Sequence, residues 1–333
     1  MKHYLTSYAF PRFLQWLVVI VVGVTVTFII PRLLPINPVE ETLQNVSATS
    51  FTDPRAVADF KKSIEELYGL QGTPEEQYVH FWERLFRGDL GPALSAFPTP
   101  VTTVIRNAMP WTAGLLGSTI LISWLLGLIL GTLAAYFPNR VWTHLLANSL
   151  VTIYPIPYFI LGLLLVIVFA FYIPIFPLVG GAVGSPSLSL PYLVSILQHA
   201  FLPALSLVLL GTAFRFIMAR ALAGTAISSD YVTFAETAGL PKRTILFHYV
   251  MRNSLLPQVT DLALSLGAMF EGALITEVVF SYPGIGFQLY TAILQADYNL
   301  ILGVTLFSIV GVATAALLID LSYPLFDPRV RHS

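Results

Sequence analysis

Cysteine is absent from this chain, and charge is scarce. Without a thiol there is no disulfide framework, no thiolate metal site and no cysteine nucleophile. Only 11% of the 333 residues are Asp, Glu, Lys or Arg, against about 25% in soluble domains. Water could not disperse a chain with so little solvating charge. The net charge is −1 with no basic stripe, which argues against nucleic acid as a partner. The histidines, His3, His80, His144, His199, His248 and His332, never fall at the i, i+3 to i+5 spacing of a zinc motif. No G-x-S-x-G, H-E-x-x-H or G-x-x-x-x-G-K-S/T run occurs. The nucleophile elbow, the zinc-protease helix and the phosphate cradle are therefore all missing.

What the chain has in abundance is apolar sequence. Hydrophobic residues make up 56%, clustered in blocks of about 18 to 25, long enough to cross a hydrocarbon core of about 30 Å as helices. The expectation is an all-α polytopic membrane protein with six spans, near residues 13–34, 110–137, 146–172, 202–222, 255–280 and 300–323. The exit from the first span offers no small-x-small cleavage site, so an uncleaved span is expected there. Gly127 and Gly131 form a GxxxG in the second span, which lets another helix approach closely. Pro155 and Pro157 should kink the third.

Basic residues set the expected topology. Residues 173–201 and 281–299 contain neither Lys nor Arg, while Lys2, Arg12, Arg140, Arg220, Lys242, Arg243, Arg252, Arg329 and Arg331 fall on the opposite side. Cytoplasmic loops carry the Lys/Arg excess, so both termini are expected inside. Residues 37–107 would then lie outside. This stretch holds ten acidic residues against six basic ones. Val57, Phe60, Ile64 and Leu67 recur at helical spacing, and residues 74–86 repeat the pattern. A small helical cap is expected, either a cover over helix ends or a docking surface.

Residues 221–254 form the long cytoplasmic connection. Ser228, Ser229 and Asp230 are N-cap candidates, Thr233 and Glu236 have capping-box spacing, and Gly239 with Pro241 signals a helix stop. Tyr231, Phe234, Ala235 and Ala238 share one apolar face. That face needs a cover, either the bilayer surface or a groove on a soluble partner.

Five ionisable residues fall within or near the ends of spans: Arg215, Asp261, Glu271, Glu277 and Asp320. Such groups are expensive in hydrocarbon and usually face a bundle interior or water. Glu271, the deepest, and Glu277 are candidates for a translocation path. Six residues apart, they project from different faces, and Glu277 also suits a structural tie to the following loop. Asp261 and Asp320 lie nearer the cytoplasmic ends, where Arg252 or backbone donors would satisfy them. Arg215 could pair with either neighbouring acid.

The run Asp230-Tyr-Val-Thr-Phe-Ala-Glu-Thr-Ala-Gly-Leu-Pro-Lys-Arg-Thr-Ile-Leu-Phe-His-Tyr-Val-Met-Arg-Asn-Ser-Leu-Leu-Pro257 resembles the EAA signature of binding-protein-dependent ABC importer permeases. It is most similar to the dipeptide, oligopeptide and nickel branch, and there to the first, B-type permease subunit. Tyr68-Gly-Leu70, Gly88-Asp-Leu-Gly91, Glu277-Val-Val-Phe-Ser-Tyr-Pro-Gly-Ile-Gly286 and Asp327-Pro-Arg-Val-Arg331 add to the likeness. The chain departs at Ile36-Asn37, where the branch reads Gly-Asp, and at Ala235-Glu236-Thr237-Ala238, where the family has its Glu-Ala-Ala.

The resemblance implies a type I importer permease (MetI-like) fold. Residues 1–36 would hold the first span, 37–107 an extracytoplasmic helical insertion, 108–324 the permease core and 325–333 a cytoplasmic tail. Tyr231, Phe234, Ala235, Glu236, Ala238, Gly239, Lys242 and Arg243 would make the coupling helix that meets an ATPase. The chain itself would be no enzyme and bind no cofactor, with ATP and Mg on two partner ATPase subunits. A second permease subunit, an extracytoplasmic solute-binding protein and the lipid bilayer complete the implied partners, in the cytoplasmic membrane. Short peptides are the implied solute, with oligosaccharides and then nickel as alternatives. The rival class is an ion-coupled secondary transporter, against which stands the absence of a second, inverted copy of the span pattern.

Overall fold

A computed structural model of the chain describes residues 9–33, 54–69, 71–271 and 273–326. Among these the regular elements are helices, with one isolated bridge between Pro92 and Pro100. They divide into two compact units, the first from Met1–Trp111, Phe270–Leu274 and Pro283–Leu317, the second from Thr112–Met269, Ile275–Tyr282 and Leu318–Ser333.

In the first unit, α1 (Phe10–Leu33) carries no charged residue between Phe13 and Pro31 and shows no polar face there, as suits a helix that crosses lipid. Gly23 lets it approach Ile309, and Trp16 Nε1 donates to Thr314 Oγ1 at 3.2 Å. Those partners belong to α12 (Tyr298–Phe326). The acidic stretch forms α2 (Pro54–Tyr68) and α3 (Pro74–Phe86). Pro74 at the first helical position and the capping box of Thr73 and Glu76 fix the start of α3: Thr73 N donates to Glu76 Oε2 at 2.9 Å and Glu76 N to Thr73 Oγ1 at 3.3 Å. Tyr78 and Phe81 of α3 pack their rings on Phe28 of α1.

A cluster of Ala93, Val101, Ile105, Ala108, Ile285, Ala292, Leu300 and Val304 forms the core of this unit. Its polar edge is fully bonded. Buried Asp297 caps α12 by accepting from Leu300 N at 3.1 Å, and its other oxygen takes Ser95 N and Oγ. Asn299 Nδ2 donates to Pro92 O and Leu67 O. The helix Ile285–Leu294, α11, lies between these elements in sequence.

The second unit contains α4 (Val101–Tyr136) from Thr112 onward, α5 (Val141–Ile153), α6 (Tyr158–Val166) with its π-helical continuation Ile167–Tyr172, α7 (Leu190–Ile227), α8 (Asp230–Thr237), α9 (Arg252–Ala268) and α10 (Leu274–Val279) from Ile275. The prolines at 155 and 157 do more than kink the third apolar block. Helix α5 stops at Ile153, Pro157 opens α6, and the two axes differ by 100°. The GxxxG works as a contact surface. A Cβ on Gly131 would lie 2.6 Å from Phe216 O and 2.7 Å from Ala219 Cβ, so α4 and α7 cross nearly backbone to backbone.

Two helices outrun the expected spans. At 36 and 38 residues, α4 and α7 are about 54 and 57 Å long at 1.5 Å per residue, well beyond a hydrocarbon core. Pro191 sits at the tolerated start of α7, and the internal Pro203 does not break it. Among the described residues four helices are long and apolar enough to cross a membrane, or five spans if the bent α5–α6 pair counts as one. The stretch expected as a fifth span, 255–280, is not one continuous helix. It is α9 of 17 residues, a 3-10 turn Met269–Glu271, and α10.

Candidate functional site

The long connection 221–254 is almost wholly helical. Helix α7 runs on to Ile227, α8 follows, and a turn Lys242–Thr244 with a π segment Ile245–Met251 leads into α9. Ser229 occupies the N-cap of α8, its carbonyl receiving Val232 N at 3.0 Å. Its hydroxyl turns back to Thr225 O instead of capping the helix. Thr233 lies inside the helix, so its spacing to Glu236 makes no capping box.

The C-terminus follows the sequence signal closely. Gly239 takes φ +74°, its N–H bonds Glu236 O at 3.0 Å, and Leu240 N bonds Ala235 O at 3.2 Å. These are the two bonds of a Schellman motif, completed by Leu240 packing into the apolar cluster below.

That cluster divides the apolar side of α8 in two. Val232 and Ala235, three apart, are buried with Ala223, Ala226, Ile245 and Val250. Tyr231 and Phe234, also three apart, stay 38% and 73% exposed. Ala238, Glu236, Gly239, Lys242 and Arg243 are exposed as well. Ala235 therefore anchors the helix to its own chain and is not on the outward stripe with Tyr231, Phe234 and Ala238. Val232, absent from the sequence-derived set, is the second anchor; its i, i+3 relation to Ala235 was the available signal.

Of the pairings the sequence left open for the charges near span ends, the structure makes Arg215 with Asp261. Arg215, only 8% exposed, donates from Nε to Asp261 Oδ2 at 3.0 Å, from Nη1 to Ser123 Oγ at 3.1 Å and from Nη2 to Ser265 Oγ at 2.8 Å. Arg252 is exposed and not the partner of Asp261. Nine residues apart on one helix, the two point to opposite faces. Trp124 Nε1 reinforces the contact of α4 with α9 through Gln258 O at 2.7 Å.

Arg215, Ser123 and Ser265 face a cleft of about 240 Å³, together with Thr119 and Tyr158. Sequence reasoning passed over these hydroxyls. The signal was present in α4, where Thr112, Thr119 and Ser123 recur at i, i+7 and i+11 along one face.

Glu277 is fully buried and accepts from Thr112 Oγ1 at 2.8 Å. Its own carbonyl takes Tyr282 N at 2.8 Å. Burial, and then the Glu277 carboxylate, push the Tyr282 phenol up to about 12, so it stays neutral. This is the geometry of a brace for the following loop. Asp320 is half-buried. The Glu271 side chain lies outside what the structure describes, as do residues 34–53 and 327–333 with the sequence motifs on them.

Residues 127–332 match the family described as binding-protein-dependent transport system inner membrane component. The chain is 32% identical over 335 residues to the probable D,D-dipeptide transport system permease protein DdpB of Escherichia coli (strain K12), covering 94% of each chain. It is 27% identical over 329 residues to the oligopeptide transport system permease protein OppB of Haemophilus influenzae, covering 98% of this chain and 99% of that one. With the dipeptide transport system permease protein DppB of Bacillus subtilis (strain 168) it shares 27% over 327 residues, 98% of both. A framework of long apolar helices and a family match over more than half its length agree: this chain belongs to the family of binding-protein-dependent transport system inner membrane components.

Proposed function

We propose that the chain is a permease subunit of an ATP-driven importer of short peptides. The observation that carries the solute class is the near full-length likeness to permeases named for dipeptide and oligopeptide transport. The subunit forms half of a translocation path, with a second permease subunit opposite, two ATPase subunits on the cytoplasmic side and a solute-binding protein outside. ATP and Mg belong to the ATPase subunits. The broken stretch 255–280 counts as the fifth of six spans, both termini are cytoplasmic, and residues 37–107 form an extracytoplasmic insertion.

The work of the subunit is mechanical. Tyr231 and Phe234 of α8 seat in a groove of the ATPase, with Glu236, Ala238, Gly239, Lys242 and Arg243 around them. Val232 and Ala235 bolt the helix to the rest of the chain, so a push on the exposed rings moves α7 and α9 and not α8 alone. The anchored helix with an outward aromatic pair supports this reading, because a rigid mount is what transmits a stroke. Glu271 faces the solute path, and Glu277 braces the loop after α10.

The test is ATP-dependent uptake by the reconstituted complex. Labelled dipeptides and tripeptides should be accumulated when the solute-binding protein is present, and maltotriose and nickel should not. Accumulation of oligosaccharide in preference to peptide overturns the solute class. Uptake driven by an ion gradient without ATP overturns the machinery.

A further inference from the structure

We propose that the cleft holding Arg215 is a carboxylate subsite within the membrane, where the charged end of a passing peptide is neutralised. The inference rests on the peptide reading above and assigns a chemistry to one place in its path.

An Arg–Asp pair buried in hydrocarbon could be purely structural, so the case depends on what else surrounds it. Arg215 lines the cleft of about 240 Å³, as do Ser123 and Ser265, which its terminal nitrogens bond, whereas Asp261 does not. The open space is therefore fronted by the cation. Asp261 engages through one oxygen and the Nε edge only. The two terminal nitrogens bond neutral serine hydroxyls, Ser123 and Ser265. A guanidinium has five N–H donors, and these three bonds leave one on each terminal nitrogen. Two donors thus remain on the terminal nitrogens of one guanidinium, a group that can take a carboxylate by both oxygens.

The remaining wall suits the same ligand. Ser123 and Thr119 direct their hydroxyls to carbonyls of their own helix. Ser265 accepts from Arg215 and keeps its proton for a ligand, and Tyr158, 45% exposed, brings a phenol to the same space. A single basic group with hydroxyl donors and apolar flanks fits an anion of one charge. Asp261 leaves the empty site neutral overall, so a peptide carboxylate is held in transit and not trapped by a naked cation.

The experiment uses the full complex in proteoliposomes with ATP inside. Three probes are compared: Ala-Ala-Ala as free acid, Ala-Ala-Ala as C-terminal amide, and Ala-Glu-Ala as C-terminal amide. Each is supplied at a concentration that saturates the solute-binding protein, measured separately. Arg215→Gln with Asp261→Asn removes both charges together and leaves no orphaned ion. The expected result is a loss of tenfold or more in uptake of the free acid relative to its amide. If the Glu-bearing amide falls with it, the subsite reads any carboxylate; if it does not, the subsite reads the C-terminal one; either supports the proposal. Ser265→Ala and Tyr158→Phe, which keep the ion pair, should shift the same ratio in the same direction. They decide the matter if the double variant does not assemble. An unchanged ratio in the assembled variants, or equal loss for all three peptides, overturns the subsite. A wild-type complex that takes up none of the three overturns the peptide reading, and the subsite falls with it.

Discussion

Gly131 shows how much a single position can specify in this protein. Its missing side chain is filled by a backbone carbonyl, Phe216 O, and by Ala219 Cβ. Neither can retreat, since both belong to the facing helix. Gly131→Ala should therefore destabilise by about 1–3 kcal/mol, the usual cost of overpacking, read as a lower midpoint in detergent unfolding. Gly239 is the opposite case. No atom stands where its Cβ would point, but its φ is +74°. Gly239→Ala should cost about 1–2 kcal/mol from the left-handed backbone alone, seen as faster amide exchange in α8 with the bundle unchanged. Both glycines were legible in the sequence, because GxxxG spacing and a glycine before Leu-Pro are local signals. The Arg215–Asp261 pair was not. Position along a helix gives depth, but the lateral neighbour depends on how α4, α7 and α9 rotate against one another, which no local pattern encodes.

At the scale of the element, α8 carries two apolar stripes that periodicity could not rank. In eight residues, Tyr231/Phe234 and Val232/Ala235 are both i, i+3 pairs about 100° apart. Only the surrounding chain decides that the second is buried. Two substitutions should now separate anchoring from docking. Val232→Asp places a carboxylate without a partner in the cluster of Ala223, Ala226 and Ile245, at a cost of several kcal/mol. Limited proteolysis should then cut within residues 228–244. Phe234→Asp alters a ring that is 73% exposed, so the same digestion should match wild type. Pull-down of the ATPase subunit should fail, and substrate-stimulated ATP turnover should vanish. Wild-type association in Phe234→Asp would mean that the exposed rings rest on lipid. The helix boundaries here were readable from Ser229 and Gly239, whereas the capping-box spacing of Thr233 misled because the helix had already begun at Asp230.

For the whole molecule the open question is one of parity. Among the described residues four helices are long and apolar enough to cross a membrane and a bent pair would make a fifth; five crossings would leave the two ends of the chain on opposite faces. The stretch 255–280 decides the count. Helix α9 spans about 26 Å at 1.5 Å per residue, just short of a hydrocarbon core of about 30 Å. The 3-10 turn and α10 add the remaining height only if they continue in the same sense. Composition had marked this block as a span because apolar residues continue through it; what composition could not show is a helix interrupted near Glu271. Basic residues argue for the crossing. Residues 173–201 and 281–299 lack Lys and Arg, whereas Arg140, Lys242, Arg243, Arg329 and Arg331 lie in the alternate connections, and that alternation holds only if 255–280 traverses. A reporter fused after Arg331 should therefore be cytoplasmic, and one inserted in residues 185–189, before α7, should be extracytoplasmic. A second insertion at Gln295, after α11, should report the outer side too. If the Gln295 and Arg331 reporters instead read inside and outside respectively, α9 and α10 turn back without crossing. The permease would then have five spans, and α8 would still face the ATPase while the C-terminus could not.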